Sequence, residues 1–123
     1  MTTSKAQNLA TVRRVAILGG NRIPFARSNT VYATASNQEM LTATIQGLVD
    51  RFNLHGERLG DVVGGAVMKH ARDFNLVRES VLSTTLSRDT PAFDIQQACG
   101  TGLECRTPDR KSTRLNSSHA TLS

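Results

Sequence analysis

Apolar positions along the chain switch between two periodicities. Residues 12–19 read VRRVAILG, with a continuous apolar centre from Val15 to Leu18 and glycine at the end, which predicts a buried strand. Residues 21–37 are small and polar around Pro24 and predict a long irregular loop. Apolar residues then recur at Met40, Leu41, Thr44, Ile45, Leu48, Val49 and Phe52, the single stripe of an amphipathic helix. Ser36 or Asn37 can cap it, Glu39 lies in its first turn, and it should end near Asn53. Residues 59–68, LGDVVGGAVM, form a second apolar run, where Gly64 and Gly65 suggest close backbone approach or a bulge. A polar loop, KHARDF, leads to a second helix capped by Asp73 or Asn75, with Leu76, Val77, Val81 and Leu82 as its apolar positions. Pro91 opens a third extended run over 92–95. Strand, helix, strand, helix, strand predicts an α/β fold with a largely parallel sheet.

Composition narrows the functional classes. The chain has 123 residues, 38% of them apolar, and no tryptophan. That suits one modest core, or a fragment diluted by a foreign segment. No apolar run approaches the length of a membrane span. The opening MTTSKAQNLATVRR lacks the apolar core of a secretory signal and reads as a flexible lead-in over 1–13. Net charge is +5, but residues 1–104 carry only +2 and the last nineteen carry +3. A basic end of that kind reads as a solvated tail, and no aromatic is interleaved with basic residues, so nucleic acid is not an expected partner. Gly19–Gly20 is not followed by a dinucleotide fingerprint. Cys99 and Cys105 have no CxxC spacing, and His55, His70 and His119 are scattered, so neither a metal site nor a disulfide framework is expected.

The chemistry concentrates in residues 94–104, DIQQACGTGLE. Cys99 follows the third extended run and precedes Gly100, Thr101 and Gly102. A thiol becomes a good nucleophile as the thiolate, which a helix N-terminus favours. Gly100 and Gly102 would permit a tight strand-to-helix turn that leaves the sulfur unshielded and lets backbone N–H groups meet an oxyanion. The residues alone leave two readings open, a reactive thiol and a buried structural one.

Three separated stretches, VAILGGNRIPFARSN, GGAVMKHARDFNLVRES and AFDIQQACGTGLE, resemble the N-terminal half of the thiolase family in order and spacing, from about Arg14 to Glu104. The RIPF run and the KHARDFNL loop are most similar to the fatty-acid-oxidation type and to the β-subunit of the trifunctional enzyme. The resemblance implies that Cys99 is the catalytic acyl-thioester nucleophile. It implies an acetyl-CoA C-acyltransferase (a 3-ketoacyl-CoA thiolase), with coenzyme A as substrate and no permanently bound cofactor. It also implies a cytoplasmic homodimer or tetramer and a β-oxidation partner subunit. The alternatives are a ketoacyl-synthase-type condensing enzyme and a non-catalytic protein on the same fold. The family's Gly-His-Pro, Cys-x-Gly and Asn-Glu motifs are absent here, and neither His70 nor Cys105 sits in a matching motif. Arg78 aligns with a family arginine and reads as structural or interface-forming.

After Glu104 the family continues as an apolar helix, whereas this chain reads CRTPDRKSTRLNSSHATLS. The stretch 109–119, DRKSTRLNSSH, is similar to the conceptual translation of a common sequencing-library adapter. The expected organisation is a lead-in over 1–13, a partial thiolase N-terminal domain over 14–104 and a non-native disordered tail over 105–123. The helix after Cys99 would keep about one turn, too short to persist alone. Such a fragment should be inactive and poorly stable.

Overall fold

The computed structural model describes residues 14–105 and the backbone of 119–122. The lead-in over 1–13 lies outside the described residues, as does 106–118, most of the adapter-like stretch. Helix α1 spans Asn37–Phe52, strand β1 Val62–Ala66, helix α2 Leu76–Leu82 and strand β2 Ala92–Asp94. A 3-10 turn, Ala98–Gly100, runs into a one-turn helix α3, Thr101–Glu104, and strand β3 is His119–Leu122.

Local sequence explains α1. Ser36 Oγ accepts the Glu39 N–H at 3.1 Å, and the Glu39 carboxylate accepts the Ser36 N–H at 2.8 Å, a reciprocal capping box. Asn53 ends the helix in the left-handed region at φ 51°, which asparagine tolerates. Between these ends Leu41, Ile45 and Val49 are fully or almost fully buried. They meet Val62 and Ala66 of β1, Leu76, Val77 and Val81 of α2, and Leu86, which together make the core.

All five residues of β1, VVGGA, are buried, as expected of a central strand covered on both faces. The sheet order is β2-β1-β3 and both pairings are parallel. Val62, Val63 and Gly64 pair with Ala92, Phe93 and Asp94, and Val63 to Ala66 pair with His119 to Leu122. The α/β class expected from the alternation is therefore present.

Three expectations differ from the structure. Residues 14–27 form no strand, and Val15, Ile17 and Leu18 are 51%, 80% and 80% exposed. A strand needs a neighbour to complete its ladder, and both edges of β1 are filled by β2 and β3. The segment is tied to α1 by side chains instead: Asn21 donates to the Thr44 carbonyl at 3.0 Å and Arg51 donates to the Gly20 carbonyl. Second, the tail expected to be disordered contributes β3, whose extended backbone pairs in register with the edge of β1 opposite β2. Third, Cys105 belongs to the folded part: it is 0% exposed, and its N–H donates to the Thr101 carbonyl at 3.0 Å.

Candidate active site

Strand β2 delivers the chain to the cysteine. The Ile95 N–H donates to the Gly64 carbonyl at 2.9 Å, and the Gln96 amide donates to the Val67 carbonyl at 3.0 Å. The first bond carries the pairing with β1 one residue beyond β2, and the second, from the Gln96 side chain, ties the next residue to the chain just past β1. The approach is close enough that Gly65 is a requirement. A methyl there would overlap the Ile95 carbonyl oxygen and stand 2.8 Å from Thr101 Cγ2. Close backbone approach, rather than a bulge, is thus the reason for glycine in β1.

Asp94, the last residue of β2, joins three elements. Its carboxylate accepts the N–H groups of Leu76 and Val77, the first two residues of α2, at 3.1 and 2.8 Å. It also pairs with Lys69 Nζ at 2.9 Å, the two side chains being 12% and 22% exposed. The α2 cap expected from Asp73 or Asn75 therefore comes from a neighbouring strand. Asn75 occupies the cap position without a side-chain bond, and Asp73 is committed to the loop, accepting the His70 N–H at 3.0 Å.

Beyond Gln97 the chain turns sharply, at alanine rather than glycine. Ala98 has φ 44°, whereas Gly100 has φ −90° and ψ 0°, with open space beside it among the described residues. The expectation that Gly100 makes the turn possible is thus corrected. Its backbone suits any residue, and the conformation that normally asks for glycine falls on Ala98. Thr101 closes the turn: its hydroxyl accepts the Gln97 N–H at 2.8 Å and donates to the Ala98 carbonyl at 2.8 Å. The Gly100 N–H donates to the Gln97 carbonyl at 2.8 Å. Cys99 sits at the apex, exposed, a free thiol.

The other candidates lie elsewhere. His70 Nδ1 accepts the Arg72 N–H at 3.2 Å. His55 Nδ1 lies 2.7 Å from Thr85 Oγ1, and its Nε2 lies 3.4 Å from Asp50. No histidine ring pairs with Cys99 among the described residues. Arg78 donates to the carbonyls of Thr90 and Arg88, bracing the approach to β2 as its structural reading anticipated. Among the described residues no group of three His, Cys, Asp or Glu gathers as a metal site would. None of their helices is long and apolar enough to cross a membrane. Asp94, Lys69 and Thr101 escaped the sequence reading. Only the polarity of Asp94 inside an otherwise apolar extended run could have flagged one of them.

A parallel sheet whose edge strand runs into a strained turn, with a free cysteine exposed at its apex, defines an α/β protein that presents a thiol at a strand-to-helix junction. Comparison with known proteins makes this specific. The family model described as thiolase, N-terminal domain, matches residues 15–114. The chain belongs to the thiolase family. It is 30% identical over 106 residues to a 3-ketoacyl-CoA thiolase of Aliivibrio fischeri, an alignment covering 85% of this chain and 24% of that protein. A 3-ketoacyl-CoA thiolase of Photorhabdus laumondii is 34% identical over 91 residues, 74% of this chain and 21% of its own length. The mitochondrial trifunctional enzyme subunit beta of Homo sapiens is 29% identical over 97 residues, 79% of this chain and 20% of that subunit. The chain thus spans between a fifth and a quarter of the relatives it matches.

Proposed function

We propose that the chain is the N-terminal part of a 3-ketoacyl-CoA thiolase and that Cys99 is its acyl-accepting nucleophile. The observation that carries this reading is the placement of Cys99, exposed at the apex of the strained turn after β2, in a chain matched by the thiolase N-terminal domain. In the degradative direction the Cys99 thiolate adds to the 3-keto carbon of a 3-ketoacyl-CoA. The bond between carbons 2 and 3 breaks, and its electron pair stays on carbon 2. Carbon 2 takes a proton and leaves as acetyl-CoA. The shortened acyl group remains as a thioester on Cys99 until the thiol of free CoA attacks it, gives up its proton and restores the cysteine thiolate. The reverse condenses two acyl-CoA units. The covalent intermediate divides carbon–carbon cleavage into two easier steps.

In this reading the chain as given acylates without turning over. No histidine reaches Cys99 among the described residues, and the family's later motifs are absent from the sequence. The segment 109–119 is assigned to translated adapter, and resequencing the locus decides that point: an uninterrupted frame through it in clean genomic DNA overturns the assignment. The relatives' names support CoA thioesters as substrates, β-oxidation is the setting that the family resemblance implies, and the relative named as a subunit supports a partner chain for the parent enzyme. The test is incubation with acetyl-CoA at about pH 8.5, where an ordinary free thiol ionises without a base. Peptide mass analysis should find one acetyl group on Cys99 and none on buried Cys105. Absence of acetyl on Cys99 refutes the nucleophile, and sustained thiolysis of acetoacetyl-CoA refutes the inactivity of the chain.

A further inference from the structure

The turn at Cys99 raises a question of its own: what holds an alanine at φ 44° when the glycine two residues on sits relaxed? The bonds around it answer. On the entering side, Ile95 is fixed to β1 through the carbonyl of Gly64, and the Gln96 side chain to the carbonyl of Val67 just past that strand. On the leaving side, one side chain spans the turn. Thr101 is 5% exposed, and its hydroxyl uses both of its roles locally, accepting from Gln97 N–H and donating to Ala98 C=O. Its Cγ2 methyl packs against β1 at Gly65, the second of two neighbouring positions where that strand has no side chain. The residue therefore anchors the turn by its methyl and closes it by its hydroxyl. Only Ala98, Cys99 and Gly100 lie between Thr101 and Gln97, the farther of its two hydroxyl partners.

We infer that Thr101 is a positioning residue for acyl transfer: its hydroxyl locks the strained Ala98 turn and so fixes the direction in which Cys99 presents its sulfur. This rests on the reading of Cys99 as the nucleophile. Thr101 makes no contact with the reacting atoms. A thioester must meet the sulfur along a defined line with its carbonyl oxygen near backbone donors, so acyl transfer depends on orientation. A small alkylating agent needs only an accessible thiol. The two reactions separate positioning from exposure.

The experiment compares the full 123-residue chain with Thr101→Val, which keeps the shape and removes the hydroxyl, and Thr101→Ser, which keeps the hydroxyl. Three rates are measured: acetylation of Cys99 by acetyl-CoA, alkylation of Cys99 by iodoacetamide, and amide exchange at Gln97. In T101V, acetylation should fall about tenfold, alkylation should change by less than about twofold, and Gln97 exchange should quicken about fivefold or more as its acceptor is lost. T101S should restore acetylation and Gln97 protection to within about twofold of the parent. The inference is overturned if the parent acetylates and T101V does so at the same rate. It is equally overturned if acetylation and alkylation fall together, or if T101S behaves as T101V. A parent chain that alkylates but never acetylates sinks the nucleophile reading instead, and the positioning role with it. In that case a Gln97 amide that quickens in T101V still confirms the hydroxyl's hold on the turn.

Discussion

Replacing Gly65 with alanine tests how the site is built. Its added methyl would overlap the Ile95 carbonyl oxygen and stand 2.8 Å from Thr101 Cγ2. The first obstacle is backbone, held by the Ile95 N–H bond to Gly64 at 2.9 Å, and the second is the methyl of a side chain 5% exposed. Neither is the free end of a flexible chain, so the strands must separate. Overpacking of this kind costs about 1–3 kcal/mol, and weakening the Ile95 bond adds about 1 kcal/mol. A total near 3 kcal/mol is a large fraction of the roughly 5–15 kcal/mol that holds a small domain together. With a urea slope of ~1.5 kcal/mol per molar, the unfolding midpoint should drop by about 2 M. Gly100→Ala is the control: its backbone angles suit alanine, and among the described residues, chain neighbours apart, no atom lies within 4 Å of the new methyl, so its midpoint should move by no more than about 0.5 kcal/mol equivalent. Equal midpoints for G65A and the parent, or a G100A shift as large as that of G65A, would refute the reasoning.

Two further outcomes follow from the same geometry. Asp94→Asn removes the charge paired with Lys69 and leaves one acceptor oxygen for two N–H groups. It should cost about 1–3 kcal/mol and quicken amide exchange at Leu76 and Val77, whereas unchanged exchange there would show that Asp94 does not cap α2. Ala98→Gly removes the left-handed penalty at φ 44° and should raise the urea midpoint by an equivalent of about 0.5–1 kcal/mol, where a fall would contradict the strained turn.

Legibility varied with the range of the interactions. α1 could be read almost to the residue because its determinants are local: the Ser36–Glu39 box, the apolar stripe and the stop at Asn53. The run 15–18 has the composition of a strand yet forms none, because composition says nothing about whether a neighbour is free to pair. Local spacing points to Asp73 or Asn75 as the α2 cap, whereas the cap comes from Asp94, eighteen residues from Leu76 in sequence. Periodicity carries no trace of such a partner.

At residues 94–104 the division is clear. Residue order and short-range spacing suffice for the strand that brings Cys99 to a turn, for the one helical turn that follows, and for the family the motif resembles. Which residues shape the turn depends on packing between distant segments. Glycine is needed at position 65, on the neighbouring strand, where the chain passes over β1, and is not needed at 100, beside the sulfur. Ala98 carries the strain and Thr101 spans it. Those roles come from how closely β1 and the turn approach each other, a distance that no single segment of the sequence contains.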